Sequence, residues 1–133
     1  MKTTIGGGLP KSGSLPKPKD TAEARAALKS EAFPAPNVQR VRMEALEFTS
    51  ICPRSGQPDF GRVTIEYVPN KRCIESRSLK FYLWSFRDAP AFCESLAATI
   101  ADDIARAISP RSVIVQVHQN VRGGIALVAE ASR

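Results

Sequence analysis

The chain has 133 residues, 43% of them hydrophobic and 24% charged, with a formal net charge of +6. That length sets one domain as the prior, and the composition excludes collagen-like, disulfide-dense and wholly disordered classes. No apolar run reaches the ~18 residues of a membrane span, and Met1 to Pro10 lacks the basic start and apolar stretch of a signal peptide, so a soluble, cytoplasmic protein with no membrane partner is expected.

The basicity is concentrated at one end. Lys2, Lys11, Lys17 and Lys19 lie in the first nineteen residues, which hold no acid, and about +2 remains for the rest. Lysines scattered among Gly, Ser and Pro suit a solvated tail better than a nucleic-acid arm, so no direct nucleic-acid contact is expected. Residues 1–36 therefore read as a basic, flexible tail. It contains at most a short peripheral helix over 21–30, where Ala22 to Leu28 follows Asp20 or Thr21 as a cap and Pro34 and Pro36 forbid continuation. The folded domain is then 37–133, small enough that self-association is favoured as a source of further burial.

From Val38 the sequence alternates, Val41, Met43 and Ala45 against Arg40, Arg42 and Glu44, which predicts a half-buried strand. A second strand carries Val63, Ile65 and Tyr67 against Arg62, Thr64 and Glu66 and ends at Pro69–Asn70; the two are expected to pair antiparallel. About a dozen residues between them, Pro53, Gly56 and Pro58 included, predict an unusually long loop holding Cys52 and Asp59. A short helix is predicted over Ser78 to Arg87. A longer one follows Pro90, with Phe92, Leu96, Ile100, Ile104 and Ile108 at i+4 steps. Val113, Val115 and Val117 start a third strand, and Gly123–Gly124 precedes a fourth from Ile125 to Val128. The order β-β-α-α-β-β predicts an α+β domain with two helices on one face of a four-stranded antiparallel sheet.

Cys52 is the candidate nucleophile, because a turn-rich segment can present a thiolate to an electrophilic carbon, and Asp59 can take or supply a proton. A packed thiol beside an acidic capping residue is the competing reading. Lys71, Arg72, Glu75, Ser76, Arg77, Ser78 and Lys80 combine cations with hydroxyls at a helix start, which suits phosphate; Arg122, before Gly123–Gly124, offers another cation. Phe92 can stack on a heterocycle, although its place in the stripe makes core packing the default, and Glu94 can accept two hydrogen bonds from an amidine-like edge. His118, the single histidine, falls on a sheet surface. No metal site is expected, since Cys73, Cys93 and His118 lack the close paired spacings of zinc ligands, and three cysteines without a secretory signal fit a reducing compartment. GxGxxG and P-loop motifs are missing from the sequence, so a bound dinucleotide would be held without a Rossmann unit.

Phe48 to Phe60, the segment Glu75-Ser76-Arg77-Ser78-Leu79-Lys80-Phe81-Tyr82, Ser85-Phe86-Arg87, Phe92, Glu94 and Arg122 to Ile125 together resemble the NADPH-dependent 7-cyano-7-deazaguanine (preQ0) reductases of queuosine biosynthesis, a tRNA-modification pathway. The resemblance implies a tunnelling fold, in which such subunits form a homo-oligomeric strand barrel with active sites between subunits. It implies that Cys52 attacks the nitrile to form a thioimidate, that Asp59 moves protons, and that NADPH reduces the adduct to the aminomethyl product, preQ1. Glu94, Phe92, Glu75 and Ser76 would bind substrate; Arg77, Ser78, Lys80 and Arg122 would bind the cofactor. Arg77 stands where the family usually has lysine, and Cys93 where it typically has histidine. Two alternatives accompany this reading, an amidinotransferase-like enzyme acting on the same thioimidate and a non-catalytic deazapurine-binding protein.

Overall fold

A computed structural model describes residues 8–10 and 12–133; the expectations for Lys2, Gly6, Gly7 and Lys11 lie outside the described residues. In chain order the elements are α1 (Thr21–Glu31), β1 (Phe33–Pro34), β2 (Val41–Ile51), β3 (Pro58–Val68), β4 (Arg72–Cys73), α2 (Ser76–Trp84), α3 (Cys93–Ile108), β5 (Ser112–Arg122) and β6 (Ile125–Ser132). The large sheet is antiparallel in the order β2-β3-β5-β6, so β2 and β6 are its edges, and β1 and β4 form a small separate pair. The expected α+β arrangement is present.

Alternation decides which sheet face is covered. Val63, Ile65 and Tyr67 of β3 and Val113, Val115 and Val117 of β5 are all buried, as the period of two requires, and α3, with Leu96, Ile100, Ile104 and Ile108 buried, packs on β5 and β6. Each of those helix side chains contributes about 1.5–3 kcal/mol of burial. The stripe starts at Leu96, because Phe92 is the N-cap of α3 and is 47% exposed.

The helix predicted at 21–30 forms, but it is not peripheral. Asp20 caps it through a 2.8 Å bond to the Glu23 amide, and Ala24, Ala27 and Leu28 are buried against α2 and α3. Three small or aliphatic residues on one face were sufficient to seat a helix whose mean composition looks polar. Upstream of it, residues 8–20 form a strap held across the domain. The Leu9 amide donates to Glu31 Oε2 at 3.0 Å, Arg77 donates to the Pro10 carbonyl, Leu15 packs against the core, and Lys17 pairs with Asp88 at 2.7 Å.

The long loop between the first two strands is corrected to a six-residue turn, 52–57, because both strands run further than alternation suggested. Ile51 pairs with Pro58, Ser50 with Asp59 and Thr49 with Phe60. A β-bulge between Ala45 and Phe48 inserts one residue and breaks the period of two, which hid the outer half of β2. Pro58 is tolerated as the first residue of its strand. Asp59 therefore lies on β3, not in the loop. A second bulge between Gln119 and Arg122 precedes the Gly123–Gly124 turn, where positive φ at both glycines (56° and 79°) gives the tight β5–β6 hairpin.

Gly61 lies where β3 and β5 approach closely. A Cβ there would meet the His118 carbonyl oxygen at 1.9 Å, and backbone cannot move aside as a side chain does. Gly61→Ala is expected to cost about 3 kcal/mol, as overpacking against a fixed partner does, and to lower Tm in a thermal melt with no change in the far-UV spectrum at low temperature.

Candidate active site

The turn after β2 presents Cys52 in a fixed frame. Its amide donates to the Gln57 carbonyl at 2.9 Å and its carbonyl accepts from the Gly56 amide at 2.9 Å, with Gly56 at φ 71°. On the other side, Ile51 is bonded to the α2–α3 connection: its amide donates to Ala89 O at 3.3 Å and its carbonyl accepts from the Ala91 amide at 3.1 Å. That connection leads directly into Phe92 and Glu94, so turn and helix start are held together. Both side chains are exposed, Phe92 as the N-cap and Glu94 in the first turn of α3.

Two thiols lie in this region and their environments separate them. Donors in the turn, the Ser55 hydroxyl first and then the Ser55 and Arg54 amides, favour the Cys52 thiolate and pull its pKa down to about 7, while burial and the Asp59 charge oppose them. Cys93 is 1% exposed and donates its thiol to Val117 O at 3.3 Å; burial, then the Glu94 charge, pushes its pKa up. Of the pair, Cys52 has the environment that favours a thiolate. Cys93 is a packed residue whose proton is already committed.

Asp59 is 5% exposed and lies across from Ser50 on the helix-covered face. Arg122 forms an ion pair with one of its oxygens, Gln119 Nε2 approaches the other at 3.4 Å, and Arg122 also donates to Gln119 Oε1 at 2.9 Å. A buried carboxylate without a partner costs several kcal/mol, so this cluster is what keeps Asp59 inside. Gln119 was not singled out by the sequence; only its register beside Gly61 reveals it.

The signature segment divides between fold and surface. Glu75 is the N-cap of α2 and accepts from the Ser78 amide at 2.8 Å and the Arg77 amide at 2.9 Å, while Ser78 is fully buried with its hydroxyl donating to Glu75 O at 2.7 Å. Ser76, Arg77 and Lys80 instead line a cleft of about 910 Å³ between β2 and α2, together with Trp84, Arg87 and Thr49. Arg77 is oriented there by Glu75, by Glu31 at 3.4 Å and by the strap. The structure thus gathers Ser76, Arg77 and Lys80 at one cleft, and places Arg122 apart from them, on Asp59.

The Cys52 environment has a direct test. Removing the Ser55 hydroxyl takes away the first cause of the lowered pKa, so Ser55→Ala is expected to raise the midpoint of the pH profile for iodoacetamide alkylation of Cys52 above about 7. Ser55→Thr should restore it. An unchanged midpoint in the alanine variant would show that the turn amides alone set the thiolate.

Comparison with known proteins agrees with this geometry. Residues 58–133 match the model of the family described as QueF-like protein. The NADPH-dependent 7-cyano-7-deazaguanine reductase of Halorhodospira halophila is 46% identical over 104 residues, covering 76% of this chain and 88% of that protein. The enzyme of the same name from Syntrophus aciditrophicus is 44% identical over 112 residues, covering 82% and 80%. Among solved structures, the archaeosine synthase QueF-Like in its apo form aligns with a TM-score of 0.69 at 25% identity, over 73% of this chain and 95% of that one, which gives the tunnelling fold. With a family model matched over more than half of its length and relatives of this identity and coverage, the chain belongs to the QueF-like family of 7-cyano-7-deazaguanine reductases.

Proposed function

We propose that this chain catalyses the NADPH-dependent reduction of the nitrile of 7-cyano-7-deazaguanine (preQ0) to the aminomethyl group of preQ1, in the queuosine pathway of tRNA modification. The observation that carries the reading is Cys52, a thiol with a pKa lowered to about 7, directly after Ile51, which is bonded to Ala89 and Ala91 just ahead of Phe92 and Glu94. Its thiolate adds to the nitrile carbon, the nitrogen takes up a proton, and a covalent thioimidate results. Asp59, buried and close to the turn, is the group that moves protons to the nitrogen as the adduct is reduced. Expulsion of the Cys52 thiolate then leaves an imine, reduced in turn to the amine. Phe92 and Glu94 receive the base, the ring by stacking and the carboxylate by accepting the two N–H groups of its amidine-like edge.

The bound cofactor supplies one hydride for each of the two reductions. Ser76, Arg77 and Lys80 fit it: a hydroxyl and two cations line a cleft in the usual size range of ligand sites, with Arg87 beside them. That cleft separates reduction from the amidine-forming reaction, which needs ammonia and no dinucleotide. Glu75, proposed to bind substrate, and Ser78, proposed to bind cofactor, also cap α2. Arg122 acts at Asp59 within one subunit, and its contact to phosphate belongs to an assembled site.

Assembly follows from what one chain leaves open. Phe92 and Glu94 are exposed, β2 and β6 are sheet edges, and Phe60, Ile125 and Val128 are exposed apolar side chains on or beside the hairpins. A homo-oligomer joined through strand edges encloses the base between subunits. Three free thiols suit the cytoplasm; among the described residues no helix is long and apolar enough to cross a membrane.

Incubation with preQ0 alone should produce a thioimidate absorbance and a mass increase equal to one preQ0, both lost in Cys52→Ala. Asp59→Asn is expected to lower kcat about a hundredfold while the protein still binds preQ0. An amidine product, or no adduct from folded protein, would overturn the reading.

A further inference from the structure

The dinucleotide cleft has walls from β2 and α2, and its remaining side is closed by Gly13, Ser14 and Leu15 of the N-terminal strap. This segment does not merely lie near the cleft. It is fastened on both sides of it, by the Leu9–Glu31 and Arg77–Pro10 bonds before and by the Lys17–Asp88 pair after, while Leu15 packs on the core between them. Arg77 belongs to both structures at once: it lines the cleft, and its guanidinium donates to the strap's Pro10 carbonyl and to Glu31. Ser14 is exposed, outside the core, and lines the cleft.

We infer that the strap is the third wall of the cofactor site, with Ser14 facing the anionic part of the dinucleotide opposite Lys80 and with Pro10 setting the direction of Arg77. The inference rests on the reading of this cleft as the NADPH site. Its chemical content is that a segment with the composition of a linker contributes ligand contacts and controls the charge of the cleft.

The test is direct binding of NADPH to the full-length protein. Trp84, the single tryptophan, lines the cleft, and its emission overlaps the absorbance of the reduced nicotinamide, so occupancy is read as quenching with no turnover required. Ser14→Asp places a carboxylate on the proposed wall and should raise the Kd about fivefold at low salt, and Ser14→Lys should lower it, the size expected of one added charge at contact range. Both variants should melt at the wild-type temperature. Lys80→Ala tests the underlying reading and should weaken binding about tenfold. If Lys80→Ala weakens binding and both Ser14 variants bind as wild type, the strap is no wall and the cleft reading stands. If Lys80→Ala binds as wild type, the cofactor lies elsewhere and both fall.

Discussion

The site depends on two backbone hydrogen bonds, those that tie Ile51 to Ala89 and Ala91. Without them the end of the β2–β3 hairpin would project from the sheet as a lever, supported only by its own ladder. With them, the last residue before Cys52 is fixed to the segment that becomes the N-terminus of α3. One constraint therefore ties the position of the Cys52 thiol to that of Phe92 and Glu94. Because the bonds are backbone to backbone, they fix register, not merely proximity. The turn can then be short, and Pro53 and the positive φ of Gly56 leave it few other conformations.

The second requirement is a buried acid that stays functional. Asp59 reaches the covered face because strand pairing places it opposite Ser50, and it remains there because Arg122 and Gln119 answer its two oxygens. The bulge before Arg122 matters here, since it adds a residue at the end of β5 between Gln119 and Arg122, both partners of Asp59. The Cys93 thiol turns to Val117 O and takes no part in this cluster. The acid, amide and guanidinium are satisfied without an imidazole.

How much of this was legible follows from where the sequence patterns hold. The four strands, the long helix and the antiparallel sheet were readable because alternation and i+4 spacing persist through their buried parts. Both misplacements came where packing departs from the period. The bulge at Leu46 and Glu47 made the outer half of β2 look like loop, which moved Asp59 off its strand, and Phe92 continued the spacing of the α3 stripe although it caps the helix and faces solvent. The seating of α1 rests on Ala24, Ala27 and Leu28, whose small side chains give a weak amphipathic signal. Gln119 had no signature at all: its role comes from being beside Asp59 across two strands. The strap's anchors join residues tens of positions apart, and no local pattern encodes them.

The segment Glu75 to Lys80 shows why a motif is not the same as a list of contacts. Its residues alternate between two duties imposed by the helix. Glu75 satisfies free amides at the start of α2, a cap worth about 1 kcal/mol, and the Ser78 hydroxyl donates to the Glu75 carbonyl, which also accepts from the Leu79 amide. Ser76, Arg77 and Lys80 fall on the side that opens to the cleft, and 77 to 80 is the three-residue step that brings two cations onto one face. Cap and cations are thus parts of one device. The carboxylate at Glu75 orders the first turn and also holds Arg77 Nε at 3.3 Å, so the direction of a cleft cation is set by the same side chain that starts the helix. Loss of that carboxylate would disturb the cleft through Arg77 even if Glu75 never touched a ligand.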